Sequence, residues 1–309
     1  MRISLIVPCL NEEQAIPIFK QTLDAVFATE LPTYEKELIF IDDGSTDNTL
    51  QIIKELATNS PDVKFISFSR NFGKEAAIYA GLEAATGDYT AVMDVDLQDP
   101  PSLLPEMIRA IEEEGYDCAG TCRVSRSGEP PIRSFFARSF YKLINKISKT
   151  QIVDGARDYK LMTRPVVNAL ISLKEYNRFS KGLYEWVGFR TKWFKYENIE
   201  RVAGETKWSF FKLFLYSIEG IVAFSTAPLA LASIMGVLLS GFSFLSIVIL
   251  VIRELIWHHS AYGWTSMVCI FCLMGGIILL CLGILGQYLA RTYTEVKKRP
   301  IYISKERSI

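Results

Sequence analysis

An α/β domain with a mostly parallel sheet, followed by an interfacial helix and two transmembrane helices, is the architecture this sequence predicts. Three observations lead there. Short β-rich apolar runs alternate with helical stretches through the first 125 residues, the pattern of strands joined by crossover helices. Charge then stops: no charged residue stands between Gly220 and Ile252, and between Leu255 and Ala290 only the titratable pair His258 and His259 appears. It returns as a small basic group, Arg291, Lys297, Lys298 and Arg299. A sheet domain therefore comes first and a membrane region follows it. Across all 309 residues the 34 basic and 34 acidic side chains cancel, so no global field favours a nucleic-acid partner.

The strands are expected at Ile3–Leu10, Glu37–Ile41, Val63–Phe68, Tyr89–Met93 and Cys118–Thr121. Asn11, Glu12 and Glu13 cut off the first run, so it reads as a buried strand rather than a signal peptide. Helices are expected at about 12–28, 47–59, 74–86 and 102–114. Thr46 or Asp47 can cap the second, Ser102 stands at the start of the fourth, and Gly87 and Gly115 follow the third and fourth. Residues 126–207 read as helical stretches at about 133–148, 163–173 and 177–187, loops, and a strand near 191–197. They complete a domain spanning 1–207. The six cysteines read as reduced thiols, with Cys118 and Cys122 as small buried side chains rather than a zinc site.

Residues 208–226 are expected to form the interfacial helix. From Trp208 to Phe224, Ser209, Lys212, Tyr216 and Glu219 fall on one stripe at spacings of three and four, with aromatic and aliphatic side chains on the rest. An ordinary core helix is the competing reading. Two spans fit within 227–290, at about 228–252 and 265–289, and a tail covers 291–309. Each span is roughly 37 Å long, more than the roughly 30 Å hydrocarbon core. The basic tail places itself in the cytosol, and two spans place the sheet domain there too, with the histidine pair in a short external loop.

Ligands of such sheets bind at the carboxyl ends of the strands. Three polar segments fall there. Asp94-Val95-Asp96 follows the fourth strand. Carboxylates two apart on an extended chain project to one side and repel unless a cation or proton separates them. A hard divalent cation suits them, and Gln98 can add an amide oxygen. Asp42-Asp43-Gly44-Ser45-Thr46-Asp47 follows the second strand; it reads either as a turn with a helix cap or as a hydrogen-bonding edge for a base or ribose. Pro8-Cys9-Leu10-Asn11-Glu12 follows the first, as a polar helix start or a nucleoside pocket wall. No Gly-x-Gly-x-x-Gly, phosphate-binding Gly-Lys-Ser/Thr loop or Ser-His-Asp arrangement is present, which argues against a dehydrogenase, a P-loop ATPase and a serine hydrolase.

Taken in order, these three segments resemble the family 2 glycosyltransferases, above all the dolichol-phosphate mannose synthase branch. Asp94-Val95-Asp96-Leu97-Gln98-Asp99-Pro100-Pro101, Ser69-Arg70-Asn71-Phe72-Gly73-Lys74-Glu75 and Arg201-Val202-Ala203-Gly204-Glu205-Thr206-Lys207 extend the match. With two C-terminal spans the chain is most similar to the bactoprenol glucosyltransferases of O-antigen modification. Cys9 departs from the usual small or aromatic residue, with little consequence expected.

The resemblance implies a GT-A type, Rossmann-like domain and inverting transfer of a sugar to undecaprenyl (polyprenyl) phosphate at the cytoplasmic face of a bacterial inner membrane. UDP-glucose is the donor it favours; GDP-mannose or another UDP-sugar is the alternative, and an inactive membrane scaffold is the alternative of another class. It implies Pro8, Asn11, Glu12, Asp42, Asp43 and Asp94 around the nucleotide. Asp94, Asp96 and Gln98 would hold the diphosphate and Mg²⁺ or Mn²⁺, and Asp158 would be the acidic group on the acceptor side. Arg123, Arg201 and Lys207 would meet the acceptor phosphate. Arg123 and Lys207 read equally as solvated charges, and Asp158 as a loop acceptor. Self-association and coupling to a flippase of lipid-linked sugars are compatible with the resemblance.

Overall fold

A computed structural model of the chain describes residues 1–123, 142, 144–148, 153–197, 220–257 and 263–308. Its centre is an eight-stranded mixed sheet. The strands are β1 (Arg2–Cys9), β2 (Glu35–Asp42), β3 (Val63–Phe68), β4 (Tyr89–Val92), β5 (Cys118–Arg123), β6 (Ala156–Thr163), β7 (Thr191–Tyr196) and β8 (Ser304–Arg307). Their order is β7-β5-β6-β4-β1-β2-β3-β8. The four central strands, β4, β1, β2 and β3, are parallel. β6 runs antiparallel between β4 and β5, and β8 runs antiparallel along β3. Five strands were expected before residue 125 and all five form; β6 and β8 were not expected.

Parallel strands bury both faces, so their sequences are continuous apolar runs whose alternate residues enter different cores. Ile3, Leu5 and Val7 of β1, with Leu38 and Phe40 of β2, enter one core. Ile6, Ile39 and Ile41 enter the other. The first core is closed by α1 (Ala15–Glu30) and α4 (Leu104–Glu112), with α2 (Thr49–Asn59) contributing Ile53. Ile16, Phe19, Leu23 and Phe27 of α1 recur at helical spacing and are all buried. The second core is closed by α3 (Lys74–Ala84), α5 (Arg164–Ser172) and α6 (Ser180–Trp186). Gly81 of α3 packs so closely on β1 that a Cβ there would come within 2.1 Å of Ile6.

One buried carboxylate ties the far end of the sheet together. Glu37, 3% exposed, accepts from Lys64 Nζ at 2.6 Å, from the Thr86 N–H at 2.9 Å, from the Thr86 hydroxyl at 2.8 Å, and from the Ser4 hydroxyl. Burial alone would raise its carboxyl; these donors outweigh burial and bring it down to about 2. A depressed folded value means stability that is present above the ordinary carboxylate range and is lost as pH falls toward 2. The contribution is on the order of 3 kcal/mol. Glu37→Gln is therefore expected to unfold at lower temperature at pH 7, and to show a flatter loss of stability between about pH 4.5 and 2. Thermal unfolding across that range checks it; an unchanged slope contradicts the assignment.

Two long helices, α7 (Ala227–Trp257) and α8 (Trp264–Val296), invert the usual pattern. Leu238 is 67% exposed, Phe242 70% and Phe271 79%, a surface that suits lipid rather than water. Ala227–Ser246 and Leu273–Val296 are each long and apolar enough to cross a membrane. The two helices are antiparallel: Tyr288 donates to the Ser225 carbonyl at 2.6 Å, and Cys281 meets the Ala232 carbonyl seven residues further along the first helix. α8 continues past the expected end near 289 because its last turns pack on the sheet domain. Glu295 accepts from the Tyr176 N–H at 2.9 Å, and Asn177 donates to Thr294 at 2.9 Å. The tail then returns as β8, with Tyr302 stacked on Phe68 at 4.9 Å. Phe224, just before α7, packs on Gly182 of α6 and against the second core, so both ends of the hairpin are fastened to the sheet domain. Residues 208–219, His258 and His259, and most of the expected helix 133–148 lie outside the described residues; Cys118 and Cys122 are buried as expected.

Candidate active site

The carboxyl ends of β1, β2, β4 and β5 open at one edge of the sheet, and antiparallel β6 begins there. The loops after β1 and β2 are laced together. The Asn11 N–H donates to Ser45 Oγ at 3.0 Å, the Thr46 N–H to Asn11 Oδ1 at 2.8 Å, and the Glu12 N–H to Thr49 Oγ1 at 2.7 Å. Asn11 takes a left-handed backbone, φ 51°, to make this turn, a conformation asparagine tolerates better than most residues. Gly44, φ 72°, needs its missing side chain, since a Cβ would sit 2.6 Å from the Arg70 backbone.

Asp42 and Asp43 face inward, 1% and 4% exposed. Asp42 accepts from the Ser45 N–H at 3.0 Å and the Ser67 hydroxyl at 2.7 Å. Asp43 accepts from the N–H groups of Phe72 at 2.7 Å and Gly73 at 3.0 Å. Burial raises the Asp43 carboxyl against the pull of those donors, and neighbouring Asp42 adds to the rise. Asp43 therefore fixes the 69–73 loop, while Asp42 ties its own turn to β3. Pro8 and Glu12 remain partly exposed at the cleft.

Asp94 and Asp158 come together through a register that needs the unexpected strand. Val92 pairs with Lys160 across β4 and β6; two residues further, Asp94 falls opposite Asp158. Lys74, the first residue of α3, closes the gap with Nζ 2.6 Å from Asp94 Oδ1 and 2.5 Å from Asp158 Oδ2. Burial would lower the Lys74 ammonium, but the Asp158 and Asp94 carboxylates raise it well above its ordinary value. Burial would raise Asp158, but Lys74 and then Lys181 hold it well below the usual carboxylate range. Asp158 is therefore ionised and weakly basic. Sequence reasoning missed Lys74, although its motif was in view.

Asp96 is 7% exposed and its Oδ1 accepts from the Gln98 N–H at 3.2 Å. Between them Leu97 is left-handed, φ 56°, with its side chain in the core. Such a backbone costs about 1–3 kcal/mol in a bulky residue and persists only where packing dictates it. Gln98 Oε1 faces the Arg157 guanidinium at 3.5 Å, while Arg157 Nε pairs with buried Asp99 at 3.0 Å and Tyr196 donates to the same carboxylate. Arg157 is the second site residue the sequence did not single out. Arg123 stands at the end of β5, its N–H donating to the Gly155 carbonyl at 3.0 Å. Arg201 and Lys207 lie outside the described residues.

Carboxylates outnumber cations at this edge, with Lys74 and Arg157 set among them. Burial, then the charges of Glu12, Asp42, Asp94 and Asp47, push the Cys9 thiol well up. Among the described residues no three acidic, histidine or cysteine side chains converge on one metal position. Asp94, Asp96 and Gln98 still fit Mg²⁺ or Mn²⁺, because such ions take one or two carboxylates and complete their shell from substrate phosphates and water.

The family model described as "Glycosyl transferase family 2" matches residues 4–171. The putative glycosyltransferase CsbB of Bacillus subtilis (strain 168) is 44% identical over 307 residues, covering 99% of this chain and 92% of that one. The prophage bactoprenol glucosyl transferase homolog of Escherichia coli (strain K12) is 42% identical over 305 residues, covering 99% of each. The bactoprenol glucosyl transferase of Shigella phage SfX is 42% identical over 307 residues, covering 99% of this chain and 100% of that one.

Proposed function

The chain belongs to glycosyl transferase family 2, and from that premise we propose that it moves a sugar from a nucleotide sugar, UDP-glucose first among them, onto a polyprenyl phosphate at a membrane surface. One observation carries the reading. An acidic strand-end cleft organised around Lys74 is built into the same domain that holds the start of α7, through Phe224 packed on Gly182, and the end of α8, through Glu295. A cytosolic donor and a lipid head group can meet only where such a cleft is held against a membrane. The names of relatives over 40% identical along nearly the full chain support the lipid acceptor and the glucosyl donor.

In the proposed reaction a phosphate oxygen of the lipid attacks the anomeric carbon in line. The new C1–O bond forms as the C1–O bond to the diphosphate breaks, with inversion. Pro8, Asn11, Glu12, Asp42 and Asp43 shape the nucleoside end of the cleft. A divalent metal held by Asp94, Asp96 and Gln98 supplies, when bound, positive charge to the departing diphosphate. The nucleophile needs no strong base, since a phosphomonoester has a second pKa of about 6. Asp158, ionised and weakly basic, accordingly orients Lys74 rather than accepting a proton. Arg123, Arg201 and Lys207 offset repulsion between the anionic partners. The basic residues after α8 favour the cytoplasmic side for domain and tail.

The donor is tested by offering the purified chain undecaprenyl phosphate, Mg²⁺ and labelled UDP-glucose, GDP-mannose and other UDP-sugars in competition. Glucosyl lipid is the expected main product; a mannosyl lipid from GDP-mannose overturns the donor assignment while keeping the reaction.

A further inference from the structure

The 69–73 loop has two sets of anchors. One is the cleft: its Phe72 and Gly73 N–H groups donate to Asp43 at 2.7 and 3.0 Å, and Gly73 leads directly into Lys74. The other is the C-terminal tail. The Ser69 N–H donates to the Ile303 carbonyl at 2.9 Å. Phe72 stands edge-on to Phe68 with ring centres 5.7 Å apart, and Phe68 stacks on Tyr302 at 4.9 Å with the rings 24° from parallel. Arg70 covers the Phe72 ring at 4.0 Å. Phe72, Ile301 and Tyr302 all pack against the second core.

Tyr302 closes this second set. Its hydroxyl donates to Glu83, in the last turn of α3, at 3.0 Å. One side chain thus touches the strand that enters the loop, through Phe68, and the helix that leaves it, through Glu83. Lys74 stands at the other end of that helix, 2.6 Å from Asp94. The strand is tied to the same tail: Ser67, whose hydroxyl holds Asp42, pairs with Glu306 of β8. β8 itself has no apolar residue, and its Lys54–Glu306 ion pair is exposed, so neither contributes much to docking. The apolar anchors are Ile301 and Tyr302, and a stacked aromatic pair is worth more than the area it buries. The tail also has little slack. Lys297–Pro300 alone separate the end of α8 from Ile301, so Tyr302 is held a short distance from a helix long enough to cross a membrane.

We propose that Tyr302 is a positioning residue of the donor site: through Phe68 and Phe72 it holds the 69–73 loop, and through that loop it holds Asp43 and Lys74 where the nucleotide sugar meets them. The assignment rests on the reading above that this sheet edge takes a nucleotide. It makes donor affinity depend on the tail that leaves α8.

The test uses the full chain in phosphatidylcholine nanodiscs, as wild type, Tyr302→Ala, Tyr302→Phe and Glu306→Gln. Amide hydrogen exchange of the 69–74 segment is followed by mass spectrometry without ligand, then UDP binding in Mg²⁺ and transfer kinetics with UDP-glucose. Tyr302→Ala is expected to speed exchange in that segment, and to weaken UDP binding and raise the donor KM by about three- to tenfold, the worth of one stacked aromatic pair. The KM for undecaprenyl phosphate should stay within about twofold. A tail that merely stabilised the fold would lower the active fraction, and so kcat, and leave the donor KM in place. Tyr302→Phe keeps the stack without the bond to Glu83 and should hold UDP affinity within about twofold of wild type. Glu306→Gln lies on the same tail but outside the stack, and should leave every readout unchanged. Should Tyr302→Ala fail to fold, Tyr302→Leu, which keeps apolar bulk and removes the ring, takes its place. Unchanged loop exchange in the ring-less variant overturns the proposal. So does faster exchange with unchanged UDP affinity, because the loop would then not serve the donor. The exchange needs no nucleotide: if wild type binds neither UDP nor GDP while exchange still depends on Tyr302, the proposed function fails and the tail's hold on the loop stands.

Discussion

Asp96→Ala is expected to lower transfer at saturating donor and acceptor by on the order of a thousandfold, about 4 kcal/mol of transition-state stabilisation. The expectation follows from position. Asp96 is buried just after β4, two residues from Asp94. Its removal takes away a carboxylate that would hold a divalent cation where negative charge develops on the leaving group. The fold should survive, because the core below β4 is made by Val92, Met93 and Val95 rather than by Asp96. Thermal unfolding within a few degrees of wild type and single-turnover rates check both halves. Wild-type turnover by Asp96→Ala, or by the native chain in excess chelator, sinks the metal assignment.

Lys74→Ala is expected to lower kcat/KM by about a hundredfold, the upper range for losing a hydrogen bond between charged groups. It should also change the shape of the pH profile. With Lys74 present, Asp158 is held well below the usual carboxylate range, so it stays ionised wherever the protein is folded. Without Lys74, burial pushes its carboxyl upward, opposed by the remaining Lys181 and Arg157 charges. Protonation on the acid side then becomes visible, and the acid limb of kcat/KM moves toward neutral pH. A lysine that merely stabilised the fold would leave that limb in place. An unshifted limb in Lys74→Ala, with rate lost, therefore contradicts the clamp.

The strands before residue 125 were legible because each is an apolar run bounded by turn residues, and the acidic triplet could be placed at a strand end from that alone. β6 was not legible. It carries Arg157, Asp158 and Lys160 within eight residues, which breaks the apolar signature. Lys160 is buried only because Glu185, from α6, accepts from it at 3.1 Å with Tyr184 and Trp193 around it. Those are tertiary contacts that no local pattern announces. β8 is Ser304-Lys305-Glu306-Arg307 with no apolar residue, and it becomes a strand only because the β3 edge offers unpaired backbone. Lys74 illustrates the same limit. At the first turn of a helix a lysine reads as surface, and its two carboxylate partners come from strands distant in sequence. The hairpin was legible from charge alone; its fastening to the sheet domain through Phe224, Glu295 and Tyr302 was not.

The most direct measurement is the fate of the sugar. The purified chain is incubated with undecaprenyl phosphate, radiolabelled UDP-glucose and Mg²⁺, and the organic phase is analysed by mass spectrometry while UDP is counted in the aqueous phase. The account predicts a glucosyl undecaprenyl phosphate formed in equal amount to the UDP released, with one C1–O–P linkage of inverted configuration. UDP release with the label recovered as free glucose, or on a water-soluble acceptor and never on the lipid, would contradict it.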